Sequence, residues 1–304
     1  MTSRALAAVL VLCGLGVAAC GGGPDGGTAG PAAPGPATGT AGPQASTPAD
    51  PAPATTPPTG GPRTPSGGDA TATSDTAVPL PDAAARPLRG KRVVIDPGHN
   101  GHNYRNPSAI NRQVDVLTQK KACDTTGTST DDGYAEAAFT WDVSRRLKAI
   151  LESRGATVKL TRTNNTGVGP CITERAKIGN DFRADAAVSV HADGAGASDR
   201  GFHVIIPKRI GGPVDPVVDD SEKLGRAIRK AFRSGTGLPY STYIGSNALS
   251  FRDDLGGLNL STVPKVFIEC GNMRNATDAA KFKSAAFRKR IATALADGLQ
   301  VYLS

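Results

Sequence analysis

Two short runs of small or branched residues and a longer, mostly apolar one, each ending at a chemically reactive side chain, restrict what this chain can fold into. Val93, Val94 and Ile95 lead into Asp96-Pro97-Gly98-His99, residues 186–190 lead into His191, and residues 263–269 end in Glu269 before Cys270-Gly271. Runs without polar alternation suit strands covered on both faces, the normal state of a parallel sheet. Pro97-Gly98 must stop the first run. His99 then stands just past a strand's carboxyl end, the edge at which open α/β sheets bind ligands.

Helical spacing fills the intervals. Phe139, Val143, Leu147, Ile150 and Leu151 recur at steps of three and four until Gly155, the pattern of an amphipathic helix closed by a glycine cap. Residues 157–161 read as a strand, and 167–170 break the chain before a helix opened by Thr173 and carrying Arg175. A further strand is expected over 201–207, a helix over 221–232, and a last helix from Ala285 with Phe287, Ile291, Leu295 and Leu299 on one stripe. Strands alternating with helices predict a single α/β domain, a mainly parallel twisted sheet flanked by helices. Between Asn100 and Gly133 no period is visible, and an irregular stretch of that length in a compact domain usually has a role.

The folding unit does not start at the amino terminus. Residues 1–20 read as a secretory signal, with Arg4 as the basic start, 5–17 as the apolar centre and small residues before Cys20. That run is too short for a stable bilayer span. Val17-Ala18-Ala19-Cys20 resembles a bacterial lipobox, after which Cys20 becomes the acylated amino terminus; an ordinary signal cleaved nearby is the alternative. Residues 21–86 are rich in Gly, Pro, Ala and Thr and poor in aromatic and branched residues. Such a segment cannot bury enough apolar surface to offset its ordering entropy, so a disordered, proline-stiffened linker is expected. The domain is placed at 87–304, and the protein outside the cytoplasm, lipid-anchored on the outer face of the membrane, in the wall or periplasmic space.

The net charge of +8 at pH 7 favours an anionic polymer or surface. An exported chain meets cell-wall polymer far more readily than nucleic acid. Cys13 leaves with the signal, and the loop cysteines Cys123 and Cys171 are expected to pair, because export permits disulfides. Cys270, in an apolar run, reads as a buried free thiol.

Glu136 precedes Phe139 by three residues and Val143 by seven, which puts it in the first turn on the apolar face. A carboxylate aimed at a core is costly unless paired or bound to a cation; a first-turn glutamate favoured by the helix dipole and leaning into water is the alternative. His99, His191 and Glu269 share the carboxyl edge with it. Two histidines and a carboxylate are the donor set of a catalytic zinc site, and the absence of thiolate in an exported chain favours zinc over a redox metal. Proton transfer needs a further acid beside the ligands, and Glu269 supplies it. Four other residues have weaker claims: His102 as ligand or solvated loop residue, His203 as core or rim, Asp96 as a group orienting His99 or capping the turn, and Arg175 as a contact to a peptide carboxylate or a surface or helix-capping residue.

These motifs resemble those of the zinc-dependent N-acetylmuramoyl-L-alanine amidases of bacterial cell walls. In the family's order stand Val94-Ile95-Asp96-Pro97-Gly98-His99, Glu136 opening its helix, residues 151–162 and 184–192, and the run from Pro264 to Asn272. The resemblance implies zinc ligands at His99, Glu136 and His191, a catalytic Glu269, and hydrolysis of the amide between N-acetylmuramic acid and L-alanine during wall remodelling or turnover. It also implies a peptidoglycan or muropeptide substrate. A protein regulator of the 100–133 loop is a further expected partner. Asn100 and Asn272 depart from the family's usual glycine and phenylalanine, while Asn275 matches a family asparagine and reads as a turn residue. Two rivals remain open at this level, a zinc peptidase cutting within the stem peptide and a non-hydrolytic wall-binding regulator on the same fold.

Overall fold

A computed structural model describes residues 86–304. The expected signal, acylation site and linker lie outside the described residues. The chain runs through β1 (Arg92–Pro97), α1 (Pro107–Ile110), β2 (Gln113–Asp115), β3 (Lys120–Ala122), α2 (Glu136–Ser153), β4 (Thr157–Leu160), α3 (Ile172–Asp181), β5 (Ala186–Asp193) and β6 (His203–Pro207). It continues through α4 (Val218–Thr236), β7 (Leu249–Arg252), α5 (Gly256–Asn259), β8 (Lys265–Asn272), α6 (Ala276–Lys283) and α7 (Ala285–Leu303).

Six strands form one sheet in the order β4-β1-β5-β8-β6-β7. The first four are parallel, and β6 joins β8 antiparallel while pairing parallel with β7. Side chains alternate between faces along each strand. Val93 and Ile95, then Val188 and Val190, then Val266 and Ile268 enter the main core. There they meet α2 through Phe139, Val143, Leu147 and Leu151, α4 through Leu224, Ile228 and Phe232, and α7 through Ile291, Leu295 and Leu299, all buried. The apolar steps that predicted α2 and α7 are thus their core stripes, with Ile150 packed at the edge of the α2 stripe. Gly155, at φ +95°, closes α2 as expected.

The opposite face is different in kind. Among the described residues its apolar cluster is Val94, Ala184, Ala187 and Val263 with Phe182 against it, and many of the other positions on this face are polar. Asp96, Ser189 and Lys265 are buried there, and His191 and Glu269 are neighbours in the β5–β8 register. One face of the sheet is covered by the main apolar core, and the other buries a set of polar and charged side chains.

Several details differ from the sequence reading. The stretch after Asn100 is not irregular: it forms α1 and a β2–β3 hairpin whose tip holds Leu117 at φ +74°. Cys171, not Thr173, stands at the N-cap of α3. The strands β5 and β8 run on through His191 and Glu269 instead of stopping at them, because both lie between paired neighbours in mid-sheet.

Candidate active site

His99 follows the Pro97-Gly98 turn with a left-handed backbone, φ 58°, uncommon for a side chain other than glycine. Two buried guanidiniums hold that turn by its carbonyls. Arg175 donates to the oxygens of Pro97 (2.7 Å) and His99 (3.0 Å), and Arg162 to those of Pro97 (3.0 Å) and Gly98 (3.3 Å). Gly98 itself is obligatory, since a Cβ there would lie 2.2 Å from His191 Cε1.

Glu136, buried at the first turn of α2, faces both histidines. Its Oε1 lies 2.9 Å from His191 Nδ1 and its Oε2 3.2 Å from His99 Nε2. The backbone amides of Ala192 and Thr128 donate to the same two oxygens at 3.2 and 2.9 Å. The rings of His99 and His191 meet edge to face at 4.9 Å, and Phe267 stacks on His191 at 3.9 Å. Among the described residues these three side chains form the group able to hold a metal ion, with all donor atoms within 4.8 Å of one another.

Charge favours a cation at this point. Burial opposes protonation of His99, but Glu136 and Asp124 outweigh it and push its pKa up to about 10. Burial likewise opposes ionisation of Glu136, yet the two histidines hold its pKa well below the usual carboxylate range. The pKa of His191 is lowered, chiefly by burial, which keeps its ring neutral and fit to ligate. A site that binds a proton this tightly between two imidazoles and a carboxylate has the donors a divalent ion needs. The sequence reading therefore placed His99, Glu136 and His191 where they converge.

Glu269 stands beside this group and is not tied down. Its Oε2 is buried and has no hydrogen-bond partner among the described residues. Burial, then the charges of Glu136 and Asp193, push its pKa well above the ordinary value. A cavity of about 440 Å³ joins Glu269 to the three ligand candidates and is bordered by Lys121 of the hairpin and by Leu255 and Gly256 near α5. Lys121 reaches Asp254 at 3.0 Å and so fastens the hairpin across the cavity.

Other assignments change. Asp96 makes no bond to His99; it is buried and accepts from Arg175, Lys265, Thr161 and Ser189. Arg175 is neither a surface residue nor a helix cap, being 4 % exposed and paired with Asp96 and Asp124. His102 stays outside the ligand group. His203 is buried, edge-on to Tyr243 and opposite Glu269 in the β6–β8 register. Asn275 caps α6, accepting from the amides of Thr277 and Asp278. Cys123 and Cys171 are joined and Cys270 is a buried thiol. The sequence reading missed Asp124, which reaches His99 and is marked in the chain only by the cysteine before it.

Residues 93–301 match the sequence family described as N-acetylmuramoyl-L-alanine amidase. The chain belongs to that family. An N-acetylmuramoyl-L-alanine amidase of Mycobacterium tuberculosis is 40 % identical over 229 residues, covering 74 % of this chain and 92 % of the relative. The crystal structure of the N-acetylmuramyl-L-alanine amidase Ami1 from Mycobacterium smegmatis superposes with a TM-score of 0.67 at 39 % identity, over 71 % of this chain and 98 % of that one. Its counterpart from Mycobacterium abscessus, an apo form, gives 0.66 at 41 % identity over 71 % and 100 %. As an N-acetylmuramoyl-L-alanine amidase the protein is a hydrolase of bacterial cell-wall peptidoglycan. The family match begins one residue into β1 and ends within α7.

Proposed function

We propose that this amidase is zinc-dependent, with His99, Glu136 and His191 holding the ion and Glu269 carrying the proton. The observation that carries this reading is the convergence of three donor atoms within 4.8 Å beside a carboxylate oxygen with no partner. Nitrogen and oxygen donors without thiolate suit zinc. Zinc, when bound, supplies Lewis acidity that polarises the amide carbonyl and makes water acidic near neutral pH.

The chain's own part is then specific. The cavity seats the muramoyl-peptide junction with its carbonyl near the ligands and its nitrogen towards Glu269. Glu269 takes a proton from the attacking water as the new carbon–oxygen bond forms. It returns that proton to the nitrogen as the carbon–nitrogen bond breaks, releasing a lactyl carboxylate and a free L-alanine amine. A base must be ionised, and the raised pKa of Glu269 comes from burial beside two like charges. A cation in the neighbouring ligand set opposes those charges and draws the pKa back down.

The remainder of the reading concerns placement. A leader over residues 1–20 exports the protein, acylation of Cys20 anchors it, and the 21–86 linker lets the 87–304 domain reach the wall. Among the described residues no helix is long and apolar enough to cross a membrane. The hairpin that borders the cavity through Lys121 is where a protein regulator of the 100–133 segment would act.

The decisive experiment measures metal content and amide hydrolysis side by side on purified variants, with the new amine end identified in digested wall fragments. Glu269→Gln should keep its zinc and lose roughly 10²–10⁴-fold in rate, the usual contribution of a positioned acid or base. His99→Ala and His191→Ala should lose both. Near-wild-type hydrolysis by Glu269→Gln, or an amine end deeper in the stem peptide, refutes the proposal.

A further inference from the structure

A single hydrogen-bonded turn decides which nitrogen of His99 faces the other ligands. His99 Nδ1 lies 3.0 Å from the carbonyl oxygen of Thr125 and 3.2 Å from Asp124 Oδ1. A carbonyl oxygen only accepts, so Nδ1 carries the proton and donates. Nε2, the atom that faces Glu136, is thereby set as the ligand atom. Asp124 makes this turn as well as contacting the ring, because its Oδ1 also accepts from the Thr125 amide at 2.7 Å. Losing the carboxylate would remove one partner of Nδ1 and loosen the turn that supplies the others, the Thr125 carbonyl and the Thr125 Oγ1 at 3.2 Å.

Asp124 is in turn held from two sides. Its Oδ2 accepts from Arg175 Nη2 at 3.1 Å, and the pair is nearly fully buried, at 4 % and 5 % side-chain exposure. Cys123, its neighbour in the chain, is bonded to Cys171 at the N-cap of α3, the helix that carries Arg175 one turn later. The amide of Ile172 donates to the Cys123 carbonyl at 2.8 Å, and that of Arg175 to the Cys171 carbonyl at 2.9 Å. The bridge therefore clamps the base of the 123–125 turn to the start of the helix whose arginine grips Asp124. Neither the aspartate nor the bridge touches the cavity's reacting centre through a ligand atom of its own.

We infer that Asp124 is the positioning residue of His99, and that the Cys123–Cys171 bridge beside it keeps Asp124 in place, so that metal retention depends on that bridge. The inference rests on the reading of His99, Glu136 and His191 as metal ligands. Carboxylate partners of a ligating histidine fix its tautomer and ring orientation, and their loss typically weakens metal binding 10–100-fold. Asp124→Ala is expected to fall in that range. Cys123→Ser/Cys171→Ser, which frees the turn but leaves Asp124, is expected to weaken zinc binding by a smaller factor, about threefold to tenfold.

The test titrates zinc into the whole chain against a chromogenic chelator and records the visible spectrum of the cobalt-substituted protein. Four proteins are compared with wild type: Asp124→Ala, the double serine variant, His99→Ala and Leu147→Ala. Leu147 lies in the main core on the other face of the sheet, so its truncation reports what a stability loss alone does to zinc affinity. Thermal unfolding of each metal-free protein confirms that it folds. The expected pattern is wild-type affinity for Leu147→Ala, weakened zinc and an altered cobalt spectrum for Asp124→Ala and the serine pair, and no specific zinc for His99→Ala. If His99→Ala loses zinc while Asp124→Ala stays within twofold of wild type, the positioning role is wrong and the ligand set stands. Unchanged affinity in the serine pair overturns the part assigned to the bridge. Retention of zinc by His99→Ala overturns the ligand reading itself.

Discussion

Replacing Asp96 by alanine should destabilise the domain far more than an ordinary surface acid would. Asp96 accepts from Thr161 Oγ1 at 2.7 Å, Arg175 Nη1 at 2.9 Å, and Ser189 Oγ and Lys265 Nζ at 3.0 Å. Arg175 keeps Asp124 and three carbonyls when Asp96 is gone. Lys265 does not fare so well: it is 3 % exposed, and Asp96 is its one ion-pair partner among the described residues. Removing the acid strands a buried ammonium, and breaking such a pair costs about 3–5 kcal/mol. For a domain of this size that is a fall in Tm of roughly 6–20 °C. Lys265→Met leaves Asp96 with its other three donors and should cost less, roughly 1.5–3 kcal/mol. The double variant Asp96→Ala/Lys265→Met removes both charges, so its loss should be smaller than the two single losses combined, by about 0.5–3 kcal/mol. Urea unfolding with the disulfide kept oxidised measures all three. Acid adds a signature: burial raises the Asp96 pKa, but Lys265 and Arg175 outweigh it and hold it well below 3.8. Its contribution is then complete above the unfolded pKa and is lost as pH falls through the lower folded value. The acid limb of stability should flatten in Asp96→Ala. A loss under about 1 kcal/mol, or strict additivity in the double variant, would refute the reasoning.

Three further outcomes are expected. For the wild-type enzyme kcat/KM should fall as pH drops through the pKa that Glu269 has beside the bound ion, lower than the raised value of the metal-free site, because a protonated carboxyl cannot accept the water's proton; Glu269→Gln should lack that limb, and an unchanged limb in the variant would assign it elsewhere. Gly98→Ala should lose metal and activity while unfolding near the wild-type temperature, since its Cβ would lie 2.2 Å from the His191 ring; full zinc content in that variant would count against the close approach. Cys20→Ala should move the protein from the membrane fraction to the soluble exported fraction, and unchanged membrane association would dispose of the lipid anchor.

How far the chain could be read in advance depended on whether a residue obeyed the hydropathy rule for its place. β1 and β5 were legible because Val93 to Ile95 and residues 186–190 are small or branched without a charged break, and α2 because its apolar steps recur from Phe139 to Leu151. Glu136 was half legible: its spacing from Phe139 and Val143 put it on the apolar face of the first turn, but a carboxylate leaning back into water fitted the same spacing. β7 escaped because four residues, Leu249-Ser250-Phe251-Arg252, at a sheet edge bury too little to impose a pattern. The hairpin escaped because its turn holds Leu117, not a glycine or asparagine, in the left-handed region. Asp96, Arg175 and Lys265 were read wrongly or passed over for the opposite reason. Charged residues are expected outside, and only the assembled sheet reveals that these three are shielded by one another.

The position of β8 has a consequence for when this hydrolase becomes dangerous to a wall. It is the last strand in the chain but sits inside the sheet, between β5 and β6. Until it docks, β6 and β7 form a two-stranded ribbon with no hydrogen-bonded tie to β4, β1 and β5, and such ribbons are marginal on their own. Both halves also show open edges that invite mispairing. The docking strand is the one that bears Glu269. A chain delivered only as far as Pro264 thus has an incomplete sheet and lacks the proposed proton carrier, so on that proposal lytic competence arrives in the same step that closes the fold.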